Sequence, residues 1–264
     1  MHFATLATLT AALIGTSAAD TWGGSVSLGP SKSTIVKAVT TLIPGAAPPT
    51  QNGMLFLWPG MSNGTGDLVQ TTLEAWPDNS WCGAKKGEWC VRASLFGSFG
   101  QLDGPSSPVR GDQKVKIVYT LLSDKDTWRQ EVTDADTGKQ LSVFEHKSGP
   151  YMRGYGTGTE CNNNCSPTVS EQRYLNTEIT LAGADPNFGK TISTAQKATY
   201  KGLTSTEGGK VWKISEIRVP AMMIWVYMGV LCVYMLNIKY VWQICLHDEI
   251  SFTLNTVSRE ELNV

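Results

Sequence analysis

The chain is expected to adopt an all-β fold, an antiparallel sandwich. Three observations carry that expectation: segments of period-two hydrophobicity follow one another through the middle of the chain, turn residues separate them, and no long stretch there has helical periodicity. The 26 glycines suit many strands joined by tight connections. At 264 residues and 41% apolar content the chain can bury one large core or two small ones. A formal net charge of −1 and a pI near 6.3 lack the basic surplus that phosphate binding needs, so no nucleic-acid partner is expected.

In chain order, residues 1–19 form a short apolar run ending in small residues before Asp20, the pattern of a secretory signal peptide with its cleavage site. Residues 20–33 are rich in Gly and Ser and read as irregular. Strands are then expected at 33–43, 53–58, 67–75, 88–96, 114–122, 127–134, 139–146, 172–181 and 210–219. In the fifth, Val115, Ile117, Tyr119 and Leu121 share a face opposite Lys114, Lys116 and Thr120. The prolines of 44–53 mark a loop, and Asp-Thr-Gly at 136–138 marks a hairpin turn. Residues 148–167, rich in Gly and Asn, read as the longest connection. Arg110-Gly-Asp112 lies just before a strand and reads as turn chemistry.

The folded domain is placed at 20–220. Residues 221–238 contain no charged side chain and are followed by Lys239, which meets the length and polarity of a membrane-spanning helix. Two readings stay open: a type I membrane anchor with a short tail over 239–264, or a gene-model artefact at the 3′ end. Either leaves the same folded domain outside the cell.

Four of the six cysteines lie in the expected folded domain and suit an oxidising destination, with three pairings open to them. Cys82 with Cys90, and Cys161 with Cys165, lie close enough in sequence for each pair to close a small loop. A metal reading of Cys-Asn-Asn-Asn-Cys is weaker because no His lies nearby, and neither metal nor cofactor is expected. Asn63-Gly-Thr65 and Asn164-Cys165-Ser166 are N-glycosylation sequons.

The strand over 67–75 sets the functional question. Val69, Thr71, Leu73 and Ala75 face one way, and Gln70, Thr72 and Glu74 the other. The same period puts Trp89, Val91, Ala93 and Leu95 inward, with Arg92 and Ser94 opposite. Over 172–181 it puts Leu175, Thr177, Ile179 and Leu181 inward and Tyr174, Asn176, Glu178 and Thr180 outward. If these strands share a sheet, Gln70, Arg92, Tyr174 and Glu178 line a polar groove, with Asn176, Glu74 and Trp76 beside them. The plain alternative is a solvated face, on which Arg92 and Glu74 form an exposed ion pair.

Order and spacing in "VKAVTTLIP", "LFLWPGMSNGTGDLVQTTLE", "VRGDQKVKIVYTLL", "VTDADTGKQLSVFE" and "NTEITLAGADPNFGKTISTAQKAT" resemble the eqolisins, secreted fungal glutamic peptidases with a concanavalin A-like, jelly-roll type double sheet. The resemblance covers about half of the chain. It implies Gln70 as oxyanion donor and Glu178 as general base, in a hydrolase acting on extracellular polypeptide at acidic pH without a cofactor. The chain departs from the family in "WCVRASLF", where eqolisins carry an acid, and after Glu178, where Trp is replaced by Ile-Thr-Leu.

Two other functions use overlapping residues. A polysaccharide lyase would set Gln70 and Arg92 against a uronate and use Tyr174 for proton transfer, although His146 is the only histidine available to it in the domain. A lectin-like or wall-polymer-binding domain would stack sugar rings on Trp58, Trp76, Trp81 or Trp128.

Overall fold

The computed structural model describes residues 21–223, apart from 65–66, 164 and 166–167, and the backbone of three later strands. Nineteen strands run to residue 223: β1 (Thr21–Trp22), β2 (Ser25–Leu28), β3 (Ile35–Ile43), β4 (Met54–Ser62), β5 (Leu68–Ala75), β6 (Trp89–Gly97), β7 (Gly100–Asp103), β8 (Ser107–Val109), β9 (Val115–Leu121), β10 (Thr127–Asp134), β11 (Gln140–Lys147), β12 (Gly154–Asn162), β13 (Thr168–Val169), β14 (Gln172–Leu181), β15 (Ser193–Ala195), β16 (Thr199–Lys201), β17 (Thr204–Thr206), β18 (Val211–Val219) and β19 (Met222–Met223). All nine strands expected from the sequence are present. The sequence that read as a long connection contains β12, whose Tyr155, Thr157, Thr159 and Cys161 are buried in alternation.

Two antiparallel sheets make the sandwich. The first runs β15-β2-β12-β4-β5-β6-β7, with β1 on β12 and β8 on β6; the second runs β11-β10-β9-β3-β14-β18-β16, with β17 on β18. The core lies between them, built on Trp89, Trp128, Tyr119, Tyr155, Tyr174 and Phe188. The interior is apolar with polar ties. Tyr119 donates its hydroxyl hydrogen to the Pro59 carbonyl at 2.8 Å, Gln130 Nε2 donates to the Ser94 carbonyl at 2.7 Å, and Gln172 Nε2 donates to Thr159 Oγ1 at 2.9 Å. Each tie crosses from the second sheet to the first, and each satisfies a group whose burial would otherwise be unfavourable.

Two disulfides form, Cys82–Cys90 and Cys161–Cys165, the local pairs expected. In the hairpin after β10, Asp134 Oδ1 accepts from the amides of Asp136 and Thr137, which fixes the turn expected there.

The outward face expected for Tyr174 is corrected. Asn176 has φ of 53°, and the β14–β3 register shifts between Leu175 and Glu178. This bulge inserts one residue and switches the alternation, so Gln172 and Tyr174 are buried before it and Thr177, Ile179 and Leu181 after it. Tyr174 points into the core and Leu175 is half-buried.

Residues 225–264 form a separate unit. In it Leu231–Leu236 (β20), Val241–Leu246 (β21) and Thr253–Val257 (β22) make a three-stranded antiparallel sheet. Within the span expected as a helix, residues 231–236 are strand, and 224–230 and 237–238 lie outside the described residues. Among the described residues, no helix is long and apolar enough to cross a membrane. The expected leader and Asn164 lie outside the described residues.

The bulge predicts a stability difference. Asn176→Gly, which accepts positive φ, leaves the urea midpoint unchanged or higher, whereas Asn176→Val lowers stability by about 1–2 kcal/mol. Equal midpoints for the two variants would remove the bulge as the cause of the switch.

Candidate functional site

Register arranges the outer face of the first sheet into rows. One row reads Ser27, Gly156, Gly60, Gln70 and Ser94; another reads Trp22, Glu160, Phe56, Glu74 and Cys90. Between them Gly158 is level with Trp58, and Thr72 with Arg92. Here Pro59 has no N–H to give to a ladder, and the β4–β5 pairing steps from Leu57 to Gly60.

A groove of about 340 Å³ lies on this face, lined by Gln70, Glu160, Trp58, Trp22, Phe56 and Asn162, with Thr72, Phe96 and Gln101 at its margin. Trp58 organises it. Its indole Nε1 donates to Glu160 Oε2 at 3.1 Å, and its ring lies so close over Gly158 that an added Cβ would fall 2.4 Å from it. Trp22 meets Trp58 edge-on at 6.3 Å and is 54% exposed.

Gln70 is only 6% exposed and lines the groove, yet its side-chain amide has no hydrogen-bond partner among the described residues. Beside it in the row, the buried Ser94 Oγ also has none. A nearly buried amide with no internal partner departs from the rule that buried polar groups are hydrogen-bonded.

The polar residues next along the sheet are committed to one another. Glu74 is completely buried; its carboxylate accepts from Arg92 Nε at 2.7 Å and Nη2 at 3.1 Å, from Thr72 Oγ1 at 2.6 Å and from Trp76 Nε1 at 2.9 Å. Arg92 also pairs with Asp103 at 2.8 Å and lies 5.0 Å from the centre of the Trp81 ring. The expected exposed pair is thus a buried, two-pronged one. Glu74, Arg92 and Trp76 thus have hydrogen bonds committed to one another, and none of the three lines the groove.

Glu178, Asn176 and Tyr174 belong to the second sheet, not to the sheet of Gln70. Glu178 pairs with Lys213 at 3.0 Å on the outer surface, and Asn176 is exposed there. Tyr174 is fully buried and donates to Gln172 Oε1 at 3.1 Å; burial holds its phenol well above the usual range, which suits a neutral donor and not a base. The expected joint action of Gln70 with Glu178, and of Gln70 and Arg92 with Tyr174, fails because the packed interior separates the sheets. Of the tryptophans proposed as sugar platforms, Trp58 lines the groove, Trp128 is core, and Trp76 and Trp81 pack together at 5.7 Å.

The sequence reading missed Glu160, Asn162 and Trp22. The signal for the first two was the Tyr155, Thr157, Thr159, Cys161 alternation, obscured by the intervening Gly156 and Gly158 and by Gly154 before it. Asn63 lies in the β4–β5 turn, half-buried.

No family model and no curated protein matches this chain. Solved structures do. A scytalido-glutamic peptidase bound to a peptide-based transition state analog is 15% identical, covering 74% of this chain and 98% of its own, with a TM-score of 0.45. SCP-B, an eqolisin in complex with the tripeptide Ala-Ile-His, is 14% identical over 74% and 98%, with a TM-score of 0.40. The CBM40 of a Ruminococcus gnavus IT-sialidase bound to α2,3 sialyllactose is 10% identical over 77% and 91%, with a TM-score of 0.28.

The buried pair yields a prediction. Arg92→Met strands the Glu74 carboxylate and lowers unfolding stability by about 3–5 kcal/mol, and adding Glu74→Gln restores most of it. A single variant as stable as the parent would show that the pair contributes nothing.

Proposed function

We propose that this protein is a glutamic-peptidase-like hydrolase that uses Gln70 and Glu160. One observation carries the reading: an open amide on β5 and a carboxylate oriented by Trp58 on β12 line the same groove. The sequence resemblance implied the amide; the geometry favours Glu160 over Glu178 as its partner.

Spacing defines what the pair can do. The two residues sit two strands and four positions apart, roughly 16 Å between Cα atoms, which leaves a gap on the order of 7 Å between extended head groups. They therefore do not touch, and a peptide carbonyl with one attacking water spans such a gap. Glu160 takes a proton from water as the water oxygen bonds to the carbonyl carbon. The Gln70 amide donates to the oxygen that becomes negative, where a preorganised dipole favours the transition state over the ground state. Glu160 then returns the proton to the nitrogen as the C–N bond breaks.

The aromatic margin favours a second reading. Trp22 and Phe96, at 54% and 47% exposure, flank amide groups in the arrangement that stacks and orients sugar rings. A polysaccharide-binding domain without turnover would use that same groove. For location we propose secretion, supported by the two disulfides, with a glycan at Asn63.

Purified protein is incubated with denatured casein at pH of about 4, within reach of ordinary carboxyl titration. Glu160→Gln is expected to abolish proteolysis and Gln70→Ala to lower it about 10²- to 10³-fold, while Glu178→Gln leaves it unchanged. Undiminished cleavage by Glu160→Gln would defeat the assignment. Retention on insoluble polysaccharide with no proteolysis would favour the second reading.

A further inference from the structure

The groove does not end at Gln70. A second hollow of about 380 Å³ joins it across Trp58 and Leu68; Leu28, Pro30, Gly60 and Gly156 line it, with Ser62 and with Arg153, whose Nε donates to the Ser31 carbonyl. Its floor is the glycine row of β12. Two glycines in this region have a packing reason: a Cβ on Gly158 would overlap the Trp58 ring, and one on Gly60 would stand 3.0 Å from Leu68 and 3.1 Å from Gln70.

Gly154 and Gly156 have no such reason. Neither has positive φ, and an added Cβ would find its nearest neighbour at 3.5 Å and 3.4 Å respectively, ordinary contact distances. Glycine inside a strand is unfavourable for folding and often marks close approach by something outside the sheet. Gly156 faces outward, because its neighbours Tyr155 and Thr157 are buried. It also shares a row with the nearly buried, open amide of Gln70, with Gly60 between them. A bare floor, largely apolar walls and an adjacent unsatisfied donor belong together as one binding surface.

The geometry points to a specificity subsite: Gly156, with Gly154, keeps space for a bulky apolar side chain of a polypeptide next to the bond held between Gln70 and Glu160. The chosen guest rests on the hydrolase reading, since Leu28, Pro30, Leu68 and Trp58 offer contact surface but little hydrogen bonding. Gly156→Val fills the floor with a side chain that favours strand, so occupancy and stability are expected to move in different directions.

The test is calorimetric titration of end-blocked hexapeptides that carry Ala, Leu, Phe or Asp beside the central bond, using Glu160→Gln protein so that the peptides stay intact. The parent of this pair should bind Leu and Phe peptides at least tenfold more tightly than Ala or Asp peptides. Adding Gly156→Val should erase that preference, leave Ala binding within twofold, and leave the melting temperature unchanged or raised. Absence of preference, preference that survives Gly156→Val, or a melting temperature lowered by several degrees would overturn the subsite.

Failure of the two readings is separable. If Glu160→Gln destroys proteolysis but no side-chain preference exists, only the subsite falls. If the preference exists and Glu160→Gln still cleaves casein, the hydrolase assignment falls and the subsite stands. Neither binding nor cleavage would remove both.

Discussion

A strand in a sandwich can show each side chain to one side only, and the packed interior cannot be crossed. That constraint decides which polar groups can act together here. Tyr119, Trp89, Trp128 and Tyr155 fill the space between the sheets, so a side chain on the outer surface of one sheet is isolated from the outer surface of the other. Among the strands, Gln70 can cooperate only with groups of its own sheet, on β1, β2, β4, β6, β7, β8, β12 or β15. Within that set, the carboxylates on this face include Glu74, which is consumed by Arg92, Thr72 and Trp76, Asp103, which continues the row of Gln70 and Ser94 and is claimed by Arg92 and Gln101, and Glu160, which Trp58 orients at the groove.

The sequence made the outer face of β5 and β6 legible because their alternation is uninterrupted. Val69, Thr71, Leu73, Trp89, Val91, Ala93 and Leu95 are all buried as their period requires. The same period misled at β14, where a single residue with positive φ shifts the phase. Asn tolerates that conformation better than most residues, so Asn176 carried the only local sign of a bulge. Glu160 was hidden for a different reason. Gly154, Gly156 and Gly158 make β12 look like a connection, because glycine in sequence more often means a turn than an open binding floor.

Burial also explains why composition gave a partial account of the site. Glu74 and Arg92 would be solvated residues on average, yet a bidentate pair with two further donors lets both leave water. Whether a polar residue is free to bind a guest depends on who else claims its hydrogen bonds. Periodicity assigns the face; it does not count those claims. The Gln70 side-chain amide has none among the described residues and also lines the groove, and that conjunction is the feature from which the functional reading grows.

The most direct measurement follows the Gln70 side-chain amide itself. In ¹⁵N-labelled protein its paired NH₂ resonances, assigned through their loss in Gln70→Ala, are monitored while an end-blocked peptide is titrated in. The account requires those resonances to move in step with binding, while the side-chain amide of Asn176 on the other sheet stays still. Movement at Asn176 with none at Gln70 would place the guest on the opposite surface and contradict the account.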